Sequence, residues 1–394
     1  MAGFHTSLEN SIQDGQAVSF PPQSPGLYVH IPFCLSRCGY CAFASGVYDA
    51  ELADMYLGAA EAELRMRRTF ADGVAPSTVF IGGGTPSCLS PGQLERLLGF
   101  LPKSDGEATC EMNPDSVDEE KLRLLRDWGI NRISFGVQTF SESGLRFLGR
   151  RHDRETALRA VDMAQSMGFH SISVDLLNGW PEQSENELHE DISIVVNLGI
   201  QHLSYYNFIL EPEASGYPIF SCLASGSEDE DERGERYWKI IEESVENNGF
   251  THYETSNFSL PGFQCDHNVR IWRGGDYLGV GVAACSHLRN RRHGNYRDTE
   301  LYIKCIKNRD NAEEYSEVLG GKEKARECAV FWLRLFEGVD VAAFQALTGY
   351  DFFSLYSDVL PGLFEKGFME RAGGYVRVAK GCHLVLDGIL VDLV

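Results

Sequence analysis

Positive charge is in short supply in this sequence. Lys and Arg number 35 against 57 Asp and Glu, a formal net charge of −22 over 394 residues. A chain this acidic is repelled by phosphate backbones, so nucleic-acid binding carried by overall charge is excluded and no nucleic-acid partner is expected. A local basic run such as Arg289, Arg291, Arg292 and His293 is expected to be a solvated loop. Long apolar runs are also absent. The most continuous, Tyr277–Cys285, falls well short of the ~18 residues a membrane helix needs. No transmembrane segment is expected, although peripheral contact with a membrane surface stays open. Residues 1–24 show no basic stretch followed by an apolar one, so no secretory signal is expected and the expected location is cytoplasmic. No repeat of solenoid period is found. An even count of cysteines is missing too, because there are eleven, so they cannot all pair. Eight stand singly: Cys88, Cys110, Cys222, Cys265, Cys285, Cys305, Cys328 and Cys382. In a reducing compartment these serve mostly as small apolar residues.

What is present suits a globular chain with a substantial core. Hydrophobic residues make up 43% and charged residues 23%, which excludes disorder as the main state. From residue 26 to 210, short apolar runs alternate with helical patterns. Strands are predicted at Leu27–Phe33, Thr78–Gly82, Ala108–Met112, Arg132–Val137, Ser171–Leu177 and His202–Phe208. Ser90 with Gln93, Ser116 with Glu119 and Ser184 with Glu187 read as capping boxes that start the intervening helices. Six strand-then-helix units predict an α/β fold, a parallel sheet curled into a barrel or a partial (β/α)6 barrel, with chemistry at the C-terminal strand ends.

The expected layout is a tail over 1–24, the barrel over 25–212, a barrel extension with a substrate loop over 213–321, and a small module over 322–394. The acidic run Ser227–Glu232 is expected to be a loop leading into a helix around Tyr237–Asn247. In the last segment, Lys324–Phe336, Val341–Thr348 and Phe352–Lys366 read as helices, and Met369–Val378 as a hairpin turning at Gly373-Gly374. That pattern is winged-helix-like, but it lacks the basic charge of a DNA reader.

The three clustered cysteines follow the first strand directly. Cys34-Leu-Ser-Arg-Cys38-Gly-Tyr-Cys41 spaces its thiols as CxxxCxxC. Three thiolates can wrap one side of a cubane and leave its fourth iron open to a chelating ligand. A four-ligand structural zinc would need one more donor, and none stands nearby in sequence.

At these residues the chain resembles radical-SAM proteins. The resemblance implies that Cys34, Cys38 and Cys41 ligate a [4Fe–4S] cluster whose open iron binds S-adenosyl-L-methionine, which an electron then cleaves to methionine and a 5′-deoxyadenosyl radical. It also implies an electron donor as partner. Leu27-Tyr-Val-His-Ile-Pro-Phe-Cys34 narrows the resemblance to the oxygen-independent coproporphyrinogen oxidase family and its heme-chaperone relatives. By that resemblance Gly83, Gly84 and Thr85, in Gly82-Gly-Gly-Thr-Pro-Ser87, cradle the methionine amino group. Tyr28, Glu111, Gln138, Arg150 and Asp175 match family positions that contact S-adenosylmethionine or a second molecule of it. Arg151 and His152 are rivals to Arg150.

Tyr253-Glu-Thr-Ser-Asn-Phe258, Cys265-Asp-His-Asn-Val-Arg-Ile-Trp272, Asp276-Tyr-Leu-Gly279, Gly281-Val-Ala-Ala-Cys-Ser286 and Leu333-Arg-Leu-Phe-Glu-Gly338 resemble the heme-chaperone branch. Two departures stand out. Ile271 replaces the tyrosine of the branch's His-Asn-x-x-Tyr-Trp motif, and Cys285 precedes Ser286 with His287 after it.

The resemblance leaves two main functions. One is heme carriage to apo-hemoproteins, with heme as cargo. The other is radical oxidative decarboxylation of coproporphyrinogen III. A radical-SAM methyltransferase is a third reading. The dehydrogenase branch carries a fourth cysteine where this chain has Phe43, and a longer segment before its first strand, where this chain has about 25 residues. Both features favour the chaperone, and whether radical chemistry is used stays open. Imidazole is a common axial ligand of heme iron. His267 is the candidate heme ligand, with His287 and Cys285 as rivals.

Overall fold

The computed structural model describes residues 24–70, 74–211, 214 and 228–394. The tail predicted over 1–24 lies almost wholly outside these residues. All six predicted strands form, as Gly26–Ile31, Val79–Gly83, Ala108–Met112, Arg132–Gln138, Ser171–Asn178 and His202–Asn207, in that spatial order and all parallel. Leu27, Val29 and Ile31 are fully buried, as are Ile133, Phe135, Val137, Val174 and Leu176. Such runs need cover on both faces, which parallel sheets gain from their crossover helices. The helices Ala50–Arg67, Pro91–Phe100, Glu119–Trp128, Arg154–Met167 and Glu185–Asn197 supply the outer layer.

Two capping boxes form as read: Ser90 with Gln93, and Ser184 with Glu187. The third does not. Asp118 caps the helix Glu119–Trp128, its carboxylate accepting from the Lys121 amide at 2.9 Å. Ser116 is drawn instead into the strand-end loop, where its hydroxyl meets that of Ser87 at 2.6 Å. A carboxylate beside the positive helix terminus outcompetes a hydroxyl two residues earlier.

The sheet is wider than predicted. Tyr277–Val280 adds a seventh parallel strand beside Gly26–Ile31, and antiparallel strands Cys285–Leu288, Arg291–Asn295 and Glu313–Val318 continue that edge. At the other edge Asn257–Ser259 and Thr251–Glu254 add two antiparallel strands. The edges do not pair with each other, so the barrel is open. The basic run expected to be a loop is therefore part of a strand. Arg291 pairs with Glu313, and Arg292 with Glu317 and Glu327. The acidic run is likewise mostly helical, because the helix runs over Glu228–Glu246.

A second core lies under the C-terminal segment, built from residues such as Cys328, Phe344, Phe352, Tyr356 and Leu390, and it reaches Tyr253 and Val269 of the extension. Its helices are Gly321–Trp332, Val341–Thr348, Phe352–Leu355, Leu360–Glu365 and Leu386–Val391. The predicted third helix is broken in two, with Pro361 in the first turn of the second piece, where its missing N–H costs nothing. The hairpin forms at Gly373-Gly374 and Val339–Asp340 adds a third strand. Among the described residues no helix is long and apolar enough to cross a membrane.

Candidate functional site

The cysteine loop is closed at its base by short strands. Phe33–Cys34 pairs with Gly46–Val47, and the Tyr48 amide donates to the Cys34 carbonyl at 2.8 Å. A turn in which the Cys41 amide donates to the Cys38 carbonyl at 3.2 Å brings those two residues together. Tyr40 between them packs on Phe208 with ring centroids 6.1 Å apart, beside Leu148, Leu177 and Trp180.

The loop's sulfurs have donors aimed at them. The Thr85 hydroxyl donates to Cys34 Sγ at 3.4 Å, and Arg150 Nη1 donates to Cys38 Sγ at 3.3 Å. All three cysteines are free. Among the described residues they do not form a group gathered within 4.8 Å, as the ligands of a single ion would. Three soft donors spread around one loop, with a guanidinium against them, fit a cubane that takes one thiolate per iron. Burial raises the Cys34 and Cys41 thiols above their ordinary pKa, so loading a cluster must release protons.

Each glycine of the run beyond is required by a neighbour. A Cβ on Gly82 would lie 2.6 Å from the Glu111 carboxylate, and one on Gly84 would lie 2.7 Å from the Phe33 carbonyl oxygen. Gly83 has φ +107°, and a Cβ there would strike the His30 ring. The amide of Gly83 donates to Glu111 at 3.0 Å, that of Gly84 to the Ile31 carbonyl at 2.8 Å, and that of Thr85 to the Phe33 carbonyl at 2.7 Å. With these N–H groups engaged, what the run can offer an ammonium group is carbonyl oxygen.

Glu111 ends its strand, two strands away from Asp175. Burial, then the Asp175 charge, raises the Glu111 carboxyl to about 7. Asp175 is also raised by burial, and the Ser134 hydroxyl donates to it at 3.0 Å. Gln138 sits at an irregularity in the ladder with φ 73°, a left-handed conformation that a residue with a side chain rarely holds. Arg150 also donates to Asn113 Oδ1 at 2.7 Å and to the Gly136 carbonyl at 2.6 Å. Its rivals point elsewhere: Arg151 pairs with Asp115, and His152 meets the Val137 carbonyl. Arg150 therefore bears on the cysteine loop first.

A cavity of about 420 Å³ opens beside this loop, lined by Tyr28, His30, Phe43, Phe80, Gly83, Glu111, His267, Ile271, Tyr277, Cys285 and Arg297, among others. It brings four of the predicted residues together: Tyr28, Gly83, Glu111 and His267. A small cleft gathers Cys38, Thr85, Asn113 and Arg150. Gln138 and Asp175 line neither.

His267 stands at the start of the helix Asp266–Trp272. Its Nδ1 lies 2.8 Å from the Thr78 hydroxyl, and its ring lies 5.2 Å from that of Phe80. A Cβ on Gly26 would fall 3.2 Å from His267 Cε1, so this approach needs glycine there. Burial, helped by Arg270 and Arg132, lowers the imidazole to about 3. The ring is thus neutral at neutral pH, with Nδ1 held and Nε2 as the nitrogen left to ligate. Of its rivals, His287 is engaged by Lys324, while Cys285 lines the same cavity.

Sequence reasoning missed Asn113, His30 and Arg297. Asn113 donates to Thr85 at 2.9 Å and accepts from Arg150, joining the glycine run to the cysteine loop. Its position two residues after Glu111 was the available signal. His30 Nε2 donates to the Ala44 carbonyl at 2.8 Å and its Nδ1 accepts from Tyr28 at 3.0 Å. Arg297 had no sequence signal.

If Glu111 holds a ribose, as the resemblance implies, it gives a pH test. An ionised carboxylate accepts from two ribose hydroxyls, whereas a protonated one accepts poorly. S-adenosylmethionine affinity is expected to fall as pH drops below about 7, by up to about tenfold per unit. Glu111→Gln should bind weakly and show a flat profile by calorimetry. A wild-type profile that is flat from pH 5.5 to 8 would remove Glu111 from the ribose.

Comparison with known proteins sets these features in context. Residues 28–195 match the Radical SAM superfamily, and residues 319–380 match the HemN C-terminal domain. The chain is 38% identical over 402 residues to the heme chaperone HemW of Escherichia coli, covering 95% of this chain and 98% of that protein. It is 33% identical over 353 residues to the heme chaperone HemW of Bacillus subtilis, covering 88% and 92%. Among solved structures, coproporphyrinogen III oxidase (HemN) from Escherichia coli, a radical SAM enzyme, superposes with a TM-score of 0.82 at 25% identity, over 96% of this chain and 92% of that one.

Proposed function

The chain belongs to the heme chaperone HemW family of radical SAM proteins, and from that membership we propose that it carries heme to apo-hemoproteins while holding a [4Fe–4S] cluster on Cys34, Cys38 and Cys41. The observation that carries this reading is the shared cavity. It places a neutral imidazole, His267, on the same wall as Tyr28, Gly83 and Glu111. When bound, the cluster supplies the electron for S-adenosylmethionine cleavage. The chain's own residues hold and orient. Gly83 and Gly84 offer carbonyls to the amino group, Glu111 accepts from the ribose, and Arg150 steadies the Cys38 sulfur. Gln138 and Asp175 sit on neighbouring strands at the same end and are assigned to the adenosine side or to a second S-adenosylmethionine. His267 ligates heme iron through Nε2, with Thr78 fixing the ring. Arg297 at the rim is the cation for a propionate. Ile271 makes this wall more apolar than the family's usual tyrosine would.

A second reading, coproporphyrinogen III dehydrogenase, draws on the solved structure that the fold matches. Against it stands Phe43, 64% exposed on the cavity side where that branch carries a further cysteine.

Two assays of the reconstituted protein separate the readings. In the first, heme is added to wild type and to His267→Ala. The expected result is a shifted Soret band and transfer of heme to an apo-protein in wild type, with the shift lost and heme affinity reduced at least about tenfold in the variant. An unchanged Soret band in His267→Ala overturns the ligand assignment. In the second, coproporphyrinogen III is incubated anaerobically with S-adenosylmethionine and reductant. Loss of two carboxyl groups by mass would make the protein the dehydrogenase.

A further inference from the structure

Far from the cysteine loop, three donors converge where the C-terminal module meets the barrel extension. Glu242 lies on the helix Glu228–Glu246, His252 on the strand Thr251–Glu254, and His383 on the short turn His383–Val385 at the far end of the chain. One ligand atom from each lies within 4.8 Å of the others.

Hydrogen bonding does not account for this cluster. The single contact, His252 Nδ1 to Glu242 Oε1, is long at 3.4 Å. His252 is 95% buried, judged from its 5% exposure, and its Nε2 has no hydrogen-bond partner. His383 Nδ1 is also buried without a partner. A buried imidazole nitrogen without a partner carries a desolvation cost, and both histidines of the cluster carry one.

The rings are also held in place. His252 is stacked on Phe258 at 4.1 Å between centroids and meets Phe336 edge-on at 4.3 Å. His383 stacks on the other part of Phe336 at 3.5 Å. Aromatic walls that fix both imidazoles lower the entropy cost of closing on an ion. The nearby cation Lys380 is paired with Glu246 at 3.1 Å, so its charge is partly spent.

We propose that Glu242, His252 and His383 form a divalent metal site, zinc by the chemistry of its donors, open at one position and set where the C-terminal module meets the barrel extension. Two imidazoles and a carboxylate are a zinc donor set, with a fourth position left to water. The set is separate from the three cysteines, whose donors are all sulfur. The site is independent of whether the cavity takes heme or a porphyrin.

The test uses the full-length protein with its cluster reconstituted. The chain is equilibrated with zinc alone and dialysed against metal-free buffer, and zinc and iron are counted together by mass spectrometry. Wild type is expected to retain about one zinc per chain beyond background. Glu242→Gln and His383→Phe should each bind zinc at least about tenfold more weakly. His383→Phe keeps the stacked ring on Phe336, so it should fold and keep its iron. Added zinc should also raise the thermal midpoint of wild type by several degrees and leave both variants unmoved. Zinc retained equally by wild type and His383→Phe overturns the site. So does zinc gained only as iron is lost, which would assign it to the cysteine loop, and so does no retention at all.

Discussion

A chain in which Cys38 is replaced by alanine is expected to fold, and to emerge from reconstitution without an intact cluster and with S-adenosylmethionine cleavage abolished. Cys38 is the buried member of the three, and Arg150 Nη1 donates to it at 3.3 Å. On the proposed ligation, removing the sulfur takes one of three ligands from the cluster, and it also leaves the Arg150 guanidinium short of an acceptor, when its Nε already has none. Cys88 and Cys110, buried in the barrel core, are in no position to substitute. The control is Cys110→Ala, which removes an equally buried sulfur from the strand Ala108–Met112 and should leave iron content unchanged. Iron analysis and the visible spectrum decide the matter. A full complement of iron in a cubane of Cys38→Ala would remove Cys38 from the ligand set.

The barrel was legible because its strands are buried on both faces and therefore read as apolar runs bounded by capped helices. Ser90 with Gln93 and Ser184 with Glu187 were readable because both halves of the motif are local. Ser116 with Glu119 had the same spacing and failed, since Asp118 offers the helix end a charge that a pattern of Ser and Glu ignores. The edge strands were hidden for a related reason. Tyr277–Val280 is only four residues in a glycine-rich stretch, and its place beside Gly26–Ile31 depends on pairing across some 250 residues of chain. Local periodicity holds no information on that pairing.

The site divided in the same way. The cysteine loop is singled out by its spacing, and the glycine run and Glu111 by the family motifs they resemble. What those residues touch is not. Arg150 reads from the resemblance as a ligand contact, and its partners within the chain, Cys38, Asn113 and Gly136, lie 112, 37 and 14 residues away. His267 is fixed by Thr78, 189 residues distant. The proposed metal site has no motif at all, because Glu242, His252 and His383 come from three separate elements and meet only in the folded chain.

Gly84→Ala is expected to be a damaging single-methyl addition, and it tests whether the glycine run serves the cluster or only the turn. Its Cβ would sit 2.7 Å from the Phe33 carbonyl oxygen, 2.8 Å from that of Ile31 and 2.9 Å from the Phe33 amide. All three are backbone atoms, so no side chain can swing aside. Either the glycine run or the end of the first strand must move, at a cost of about 1–3 kcal/mol. The strand end runs straight into Cys34, and the Thr85 hydroxyl beyond the glycine donates to that sulfur. Separating the two segments therefore shifts Cys34 away from its donor and lengthens the Gly84-to-Ile31 and Thr85-to-Phe33 hydrogen bonds at once. The expected result is a chain with a lower thermal midpoint, a cluster lost faster in air, and S-adenosylmethionine affinity reduced more than tenfold, or about 1.4 kcal/mol. Gly99→Ala is the matched control. Its Cβ meets nothing within 4 Å, on the helix Pro91–Phe100. There the added methyl should stabilise by about 0.5–1 kcal/mol and leave the cluster alone. If Gly84→Ala lowers the midpoint but keeps the cluster's lifetime and the ligand affinity of wild type, the run is a turn and no more.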